Sequence, residues 1–154
     1  MEKFQENLNR ATKHFQIADH MAYITFPLIN ERRLLLKIFD EIYKSIINCI
    51  EAILNYEYLY KRIVIYKDSK DNMQTFTHKL AKDYSLNHEQ IKKIREILDL
   101  NKRHKQSAIE FVKKDKVVIM SDNLTHQIID IHIIKQYLFL TRELIMKANS
   151  KMNK

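Results

Sequence analysis

Arg10 and His14 stand four residues apart, the spacing that puts two side chains on one face of a helix. An arginine holding a phosphate beside a histidine that exchanges a proton near neutral pH is a minimal apparatus for cleaving RNA without a metal. His104, next to Arg103, offers the same two groups again. Arg10, His14 and His104 are the catalytic candidates, and the plainer reading of the first two is a polar flank beside an apolar stripe. Metal ligation has no pattern to support it. No Glu is followed three residues later by His, no H-E-x-x-H or cysteine pair occurs, and Glu51 and Glu57 fall on different faces of one helix. No metal and no cofactor is therefore expected.

Tyrosines mixed with cations point to a second chemistry. Tyr56, Tyr58, Tyr60 and Tyr66 mingle with Lys61, Arg62 and Lys67, a combination suited to stacking on unpaired bases while neutralising their backbone. Tyr56 and Tyr60 continue an apolar stripe and are expected in the core, which leaves Tyr58, Lys61 and Arg62 as candidate nucleic-acid contacts. Farther along, the stripe Ile91, Ile94, Leu98 runs on into Asn101 and Lys105, with Lys102, Arg103 and His104 beside them. Buried polar groups are costly unless partnered. The two polar residues therefore mark either an anion-binding notch, with Lys102, Arg103 and Lys105 as its cations, or a helix passing over the rim of the fold.

Charge is concentrated in the same region. Of 27 basic and 19 acidic residues, 12 basic and 6 acidic lie between residues 61 and 105, so most of the formal +8 belongs to the middle of the chain. That excess attracts a polyanion such as RNA, DNA or an acidic protein. Twenty of the cations are Lys, which act as solvated point charges where Arg gives geometry-specific contacts.

The elements that position these residues are expected to be helices. The chain of 154 residues has no Gly and one Pro, which removes phosphate-cradling loops, nucleophile elbows and the residues of tight hairpin turns. A first helix over about 3–24 carries Phe4, Leu8, Ala11, Phe15, Ala18 and Ala22 in one stripe and is expected to break at Phe26–Pro27. From about 28 to 66 nothing interrupts a helical period, so one very long helix is expected, ending near Tyr60 with a looser extension, bending, or projecting; Asn30 is an alternative start. A shorter helix spans 72–84. Asn87 and Gln90 have capping-box spacing and open a helix expected to run through Ala108, Ile109 and Val112. β-branched residues and turn formers suggest a short β excursion near 116–129, and Asp130 caps a last helix. The tail from 148 to 154 is expected to fray.

These elements predict an all-α chain forming one domain over 1–154: an antiparallel four-helix bundle with an unusually long second helix, an additional short helix and the β excursion. A small helical protein with Arg and His close together loosely resembles the HEPN group of ribonuclease-like bundles. Three residues separate Arg10 from His14 and eight separate Arg95 from His104, which is not that group's motif, and no catalytic residue is carried over. No membrane span or signal peptide is evident, and a lone Cys49 in an apolar stretch fits a reducing, cytoplasmic setting. The expected function is non-enzymatic binding of an anionic partner, RNA preferred. A self-associating interaction bundle, a homo-oligomer through the long helix, is the alternative, since Leu34, Leu36, Phe39, Ile47, Ile50 and Leu54 lie outside its main stripe. A metal-independent ribonuclease-like enzyme comes third.

Overall fold

In a computed structural model that describes residues 1–106, 109–113, 116–120 and 126–153, the stripe from Phe4 to Ala22 forms α1 (Lys3–His20). Ala11 and Ala18 of this helix, and Ala22 just beyond its end, are essentially inaccessible to solvent. Small side chains there let α1 approach α3 (Leu34–Leu59) closely enough for the Ser45 hydroxyl to donate to the Ala11 carbonyl oxygen at 2.6 Å. The two helices run in opposite directions, with Phe4 edge-on to Tyr56 at one end and His14 meeting Glu41 toward the other.

The expected break at Phe26–Pro27 does not occur. A π turn over Met21–Thr25 leads straight into α2 (Phe26–Ile29), and the Phe26 N–H reaches back five residues to the Met21 carbonyl. This wider pairing restarts the ladder, so Pro27, which has no N–H to offer, sits in a fresh first turn where none is needed. The helix ends instead at Asn30, which is left-handed with φ 56° and is thus a C-terminal residue, not the start of the next helix.

Of the three courses open to the long helix, it takes the one that ends near Tyr60: α3 has 26 residues, about 39 Å at 1.5 Å per residue. Arg62 N–H then bonds the Glu57 carbonyl and Lys61 N–H the Tyr58 carbonyl, with Lys61 left-handed at φ 61°. The same closure recurs after the short helix α5 (Ala81–Asp83), where Leu86 N–H bonds the Ala81 carbonyl, Ser85 N–H bonds the Lys82 carbonyl, and Ser85 has φ 59°. Glycine ordinarily fills this position. A chain without glycine uses Asn30, Lys61 and Ser85 instead.

The additional helix begins at Asp68, whose carboxylate accepts from Lys70 N–H at 2.8 Å, and continues as α4 (Ser69–Thr75), a π turn (Phe76–Leu80) and α5 (Ala81–Asp83). The capping box forms as expected: Gln90 N–H donates to Asn87 Oδ1 at 2.8 Å and Asn87 N–H to Gln90 Oε1 at 2.9 Å, opening α6 (His88–Gln106). That helix stops before Ile109, contrary to expectation. Ile109–Lys113 is β1, paired antiparallel with β2 (Lys116–Met120), which pairs in turn with β3 (His126–Ile129). Phe111 and Val112 stand opposite Val118 and Val117, and cross-strand pairing of such residues outweighs continuation of a helical period. The expected turn at Ser121, Asp122 and Asn123, like Ala108, lies outside the described residues. Val117, Ile119 and Ile129 enter the same apolar cluster as the helices.

Asp130 Oδ1 accepts from Ile133 N–H at 2.8 Å and starts α7 (Ile131–Met152). Where fraying was expected from residue 148, the helix continues: Lys151 Nζ donates to the Asp83 carbonyl and lies 4.6 Å from the Tyr84 ring centre. The chain is thus mostly helical with a small antiparallel sheet, and α3 is its central helix, packed against α1, α6, α7 and β2. Among the described residues no helix is long and apolar enough to cross a membrane.

Candidate nucleic-acid interface

The polar residues in the apolar phase of α6 open a groove of about 690 Å³ between α3, α4 and α6. Asn101 follows the inward stripe and is 6% exposed, whereas Lys105, one turn later, turns outward. Ile47, Ile50, Leu54 and Leu98 supply apolar walls. Three exposed cations, Lys102 and Lys105 from α6 and Lys70 from α4, line the same groove. Asn101 Oδ1 is buried and has no hydrogen-bond partner among the described residues. Asn7 Nδ2 is likewise buried and unpartnered on α1, but Asn7 does not line this groove. Glu51 and Tyr43 complete it on α3, and burial, then the charge of Glu51, pushes the Tyr43 hydroxyl above its ordinary pKa.

Tyr58 and Lys61 line a second groove, of about 840 Å³, with Phe4, Leu59 and Ile63. The two grooves are distinct, yet Tyr58 follows Leu54 by four residues on α3, which places it one turn onward on the same side of that helix. Tyr58 is 55% exposed, and so, at 54%, is Tyr60, which was expected in the core. Tyr60 lies past the last helical residue, where the stripe no longer governs its direction. Tyr56 packs against both Phe4 and Tyr60.

The two candidate arginines are engaged within the chain. Arg62 Nε donates to the buried Glu57 carboxylate, and the guanidinium carbon lies 5.0 Å from the Tyr60 ring centre and 5.5 Å from that of Tyr56. Hydrogen bonding to Glu57 holds the Arg62 pKa above its ordinary value. Arg103 Nε donates to Asp99 Oδ2 at 3.0 Å, one turn back on α6. Lysines, not arginines, therefore carry the accessible charge of both grooves.

Of the catalytic candidates, His14 Nδ1 lies 2.6 Å from Glu41 Oε2, tying α1 to α3, while Arg10 is exposed one turn away. Neither lines either groove. His104 is half-buried at the end of α6. The sequence reading missed Lys70, Tyr43 and Glu51 as groove residues. Asp68 two residues before Lys70 is a legible helix cap, but nothing local reveals that α4 and α6 line one groove.

Among the described residues no three of His, Cys, Asp and Glu come together as a metal cluster would require. No family model matches the chain, and neither does any curated protein or solved structure.

Proposed function

We propose that the protein is a non-enzymatic helical module that binds single-stranded RNA, in preference to an acidic protein, along the side of α3 shared by its two grooves. The observation that carries this reading is the convergence of Lys70, Lys102 and Lys105, from two helices, on one groove. Exposed Tyr58 beyond it offers a ring face to an unpaired base, and Lys61 lines the same groove as Tyr58. Lysines suit the role, because phosphate attraction is long-ranged and needs no fixed fork geometry. An antiparallel four-helix arrangement of α1, α3, α6 and α7, in a cytoplasmic protein, belongs to the same proposal.

Anisotropy of a labelled single-stranded RNA, titrated across a salt series, tests it. Three phosphate contacts at roughly −0.7 each on a single strand give a log–log slope of about −2, steeper if Lys61 also engages. Replacing Lys70, Lys102 and Lys105 together by Gln flattens the slope. Absence of binding at low salt overturns the proposal.

Self-association rests on a different surface from the one expected. Phe39, Ile50 and Leu54 are buried within the chain, and Leu34, Leu36 and Ile47 are half-buried, so packing within one chain accounts for most of these apolar residues. Leu28 and Ile29, 81% and 62% exposed, and Tyr23 and Ile24 nearby form an apolar end on α2 and the π turn. Sedimentation reads this directly, and a monomer at high concentration removes it.

A further inference from the structure

We infer that the groove between α3, α4 and α6 is a pocket for one unpaired adenine of the bound strand, read by the amide of Asn101. The inference rests on the RNA-binding reading and names the element of RNA that this groove takes. Three observations combine. The groove has the volume of a small-molecule site, about 690 Å³, within the range of roughly 300–1,000 Å³ typical of such sites. Its walls are aliphatic, with the Tyr43 ring at one side, so they accept a flat heterocycle. Asn101 in that lining is 94% removed from solvent and leaves its acceptor oxygen unmatched. An unmet buried acceptor costs stability in the free protein, and that cost is recovered when a ligand supplies the donor.

The donor–acceptor arithmetic selects the ligand. An asparagine amide has one acceptor and two donors on a planar end, and rotation about its terminal torsion is soft. Adenine presents an exocyclic N6 amine next to the N7 acceptor, and Asn pairs with both in bidentate fashion. A bare phosphate satisfies neither the orphaned oxygen nor the aliphatic walls. Glu51, exposed in the same groove, repels a lone anion but accepts from a ribose hydroxyl, the group that lies between base and phosphate. Lys70, Lys102 and Lys105 are left for the phosphates on either side. A nucleotide unit engages the Asn101 amide, Glu51 and the three lysines together, whereas the carboxylates of an acidic peptide meet repulsion from Glu51.

Anisotropy with two short labelled oligomers, one of adenosine and one of purine riboside lacking only the 6-amino group, isolates the Asn101 contact. The wild-type chain is expected to bind the adenosine oligomer roughly tenfold more tightly, with equal salt slopes. Asn101→Leu, checked for folding by circular dichroism, is expected to bind both oligomers alike while keeping the slope. Equal wild-type affinities with a steep salt slope overturn the adenine pocket and leave the RNA reading intact. No binding of either oligomer at low salt overturns the RNA reading and the pocket with it.

Discussion

Asn101→Leu is expected to make the free protein more stable, although it removes a polar residue from the proposed site. The amide is solvated differently in the two states. Unfolded, Asn101 is hydrated on both ends; folded, its Oδ1 is buried without a partner and the residue is 6% exposed. An unmade hydrogen bond of this kind costs about 1–3 kcal/mol. Leucine has a similar shape and meets Ile50, Leu54 and Leu98 in the same groove, so it adds apolar burial without a clash. Because the groove is open, the added burial is partial, and a net gain of about 1–2 kcal/mol is expected. For a domain of this size each kcal/mol moves the melting temperature by about 2–4 °C. Urea unfolding followed at a helical wavelength measures the gain as a higher midpoint at unchanged slope. A variant less stable than the wild type by 1 kcal/mol or more refutes the reasoning, since it means that the amide already makes a bond the fold depends on. Stability gained together with adenine discrimination lost is the signature of a residue kept for a ligand.

Three further outcomes follow from the packing. Ser45→Ala deletes the hydroxyl that donates to Ala11 across the α1–α3 contact and is expected to cost about 1 kcal/mol, read as a lower urea midpoint; no change shows that the contact carries no net stability. Ser85→Gly relieves a left-handed residue at the end of α5 and is expected to stabilise by about 0.5–1 kcal/mol, the steric relief being partly offset by chain entropy; destabilisation refutes the strain. Burial pushes the Cys49 thiol from an ordinary value of 9.0 up to about 12. A thiol whose folded pKa is raised adds stability below pH 9 and loses it progressively as pH rises toward 12. At pH 10 wild type is expected to have lost about 1 kcal/mol more than Cys49→Ala, relative to pH 8. Equal pH profiles, or rapid labelling of the native thiol by a disulfide reagent, refute the burial.

What the sequence discloses and what it withholds divide along a physical line. Local signals are legible: the Ala11–Ala22 stripe, the Asn87–Gln90 box and the Asp130 cap each act within one or two turns, and each forms. Pro27 misleads because its ordinary effect assumes α pairing, and a π turn before it changes the pairing. Ile109 and Val112 mislead because their partners on β2 come later in the chain, and a periodicity count sees neighbours only. The candidate site is legible to the same depth. Asn101 and Lys105 stand out as polar residues in an apolar phase, and both line the groove beside α3; Arg62 and Arg103 look available until their partners Glu57 and Asp99 are in view. Lys70 becomes a groove residue only when α3, α4 and α6 come to line one groove, a tertiary event with no local mark. The sequence feature on which the adenine proposal turns is thus one that is costly on its own terms. A buried amide oxygen without a partner among the described residues is a cost that helix periodicity and core packing leave unexplained, and the proposed adenine edge is the ligand that would remove it.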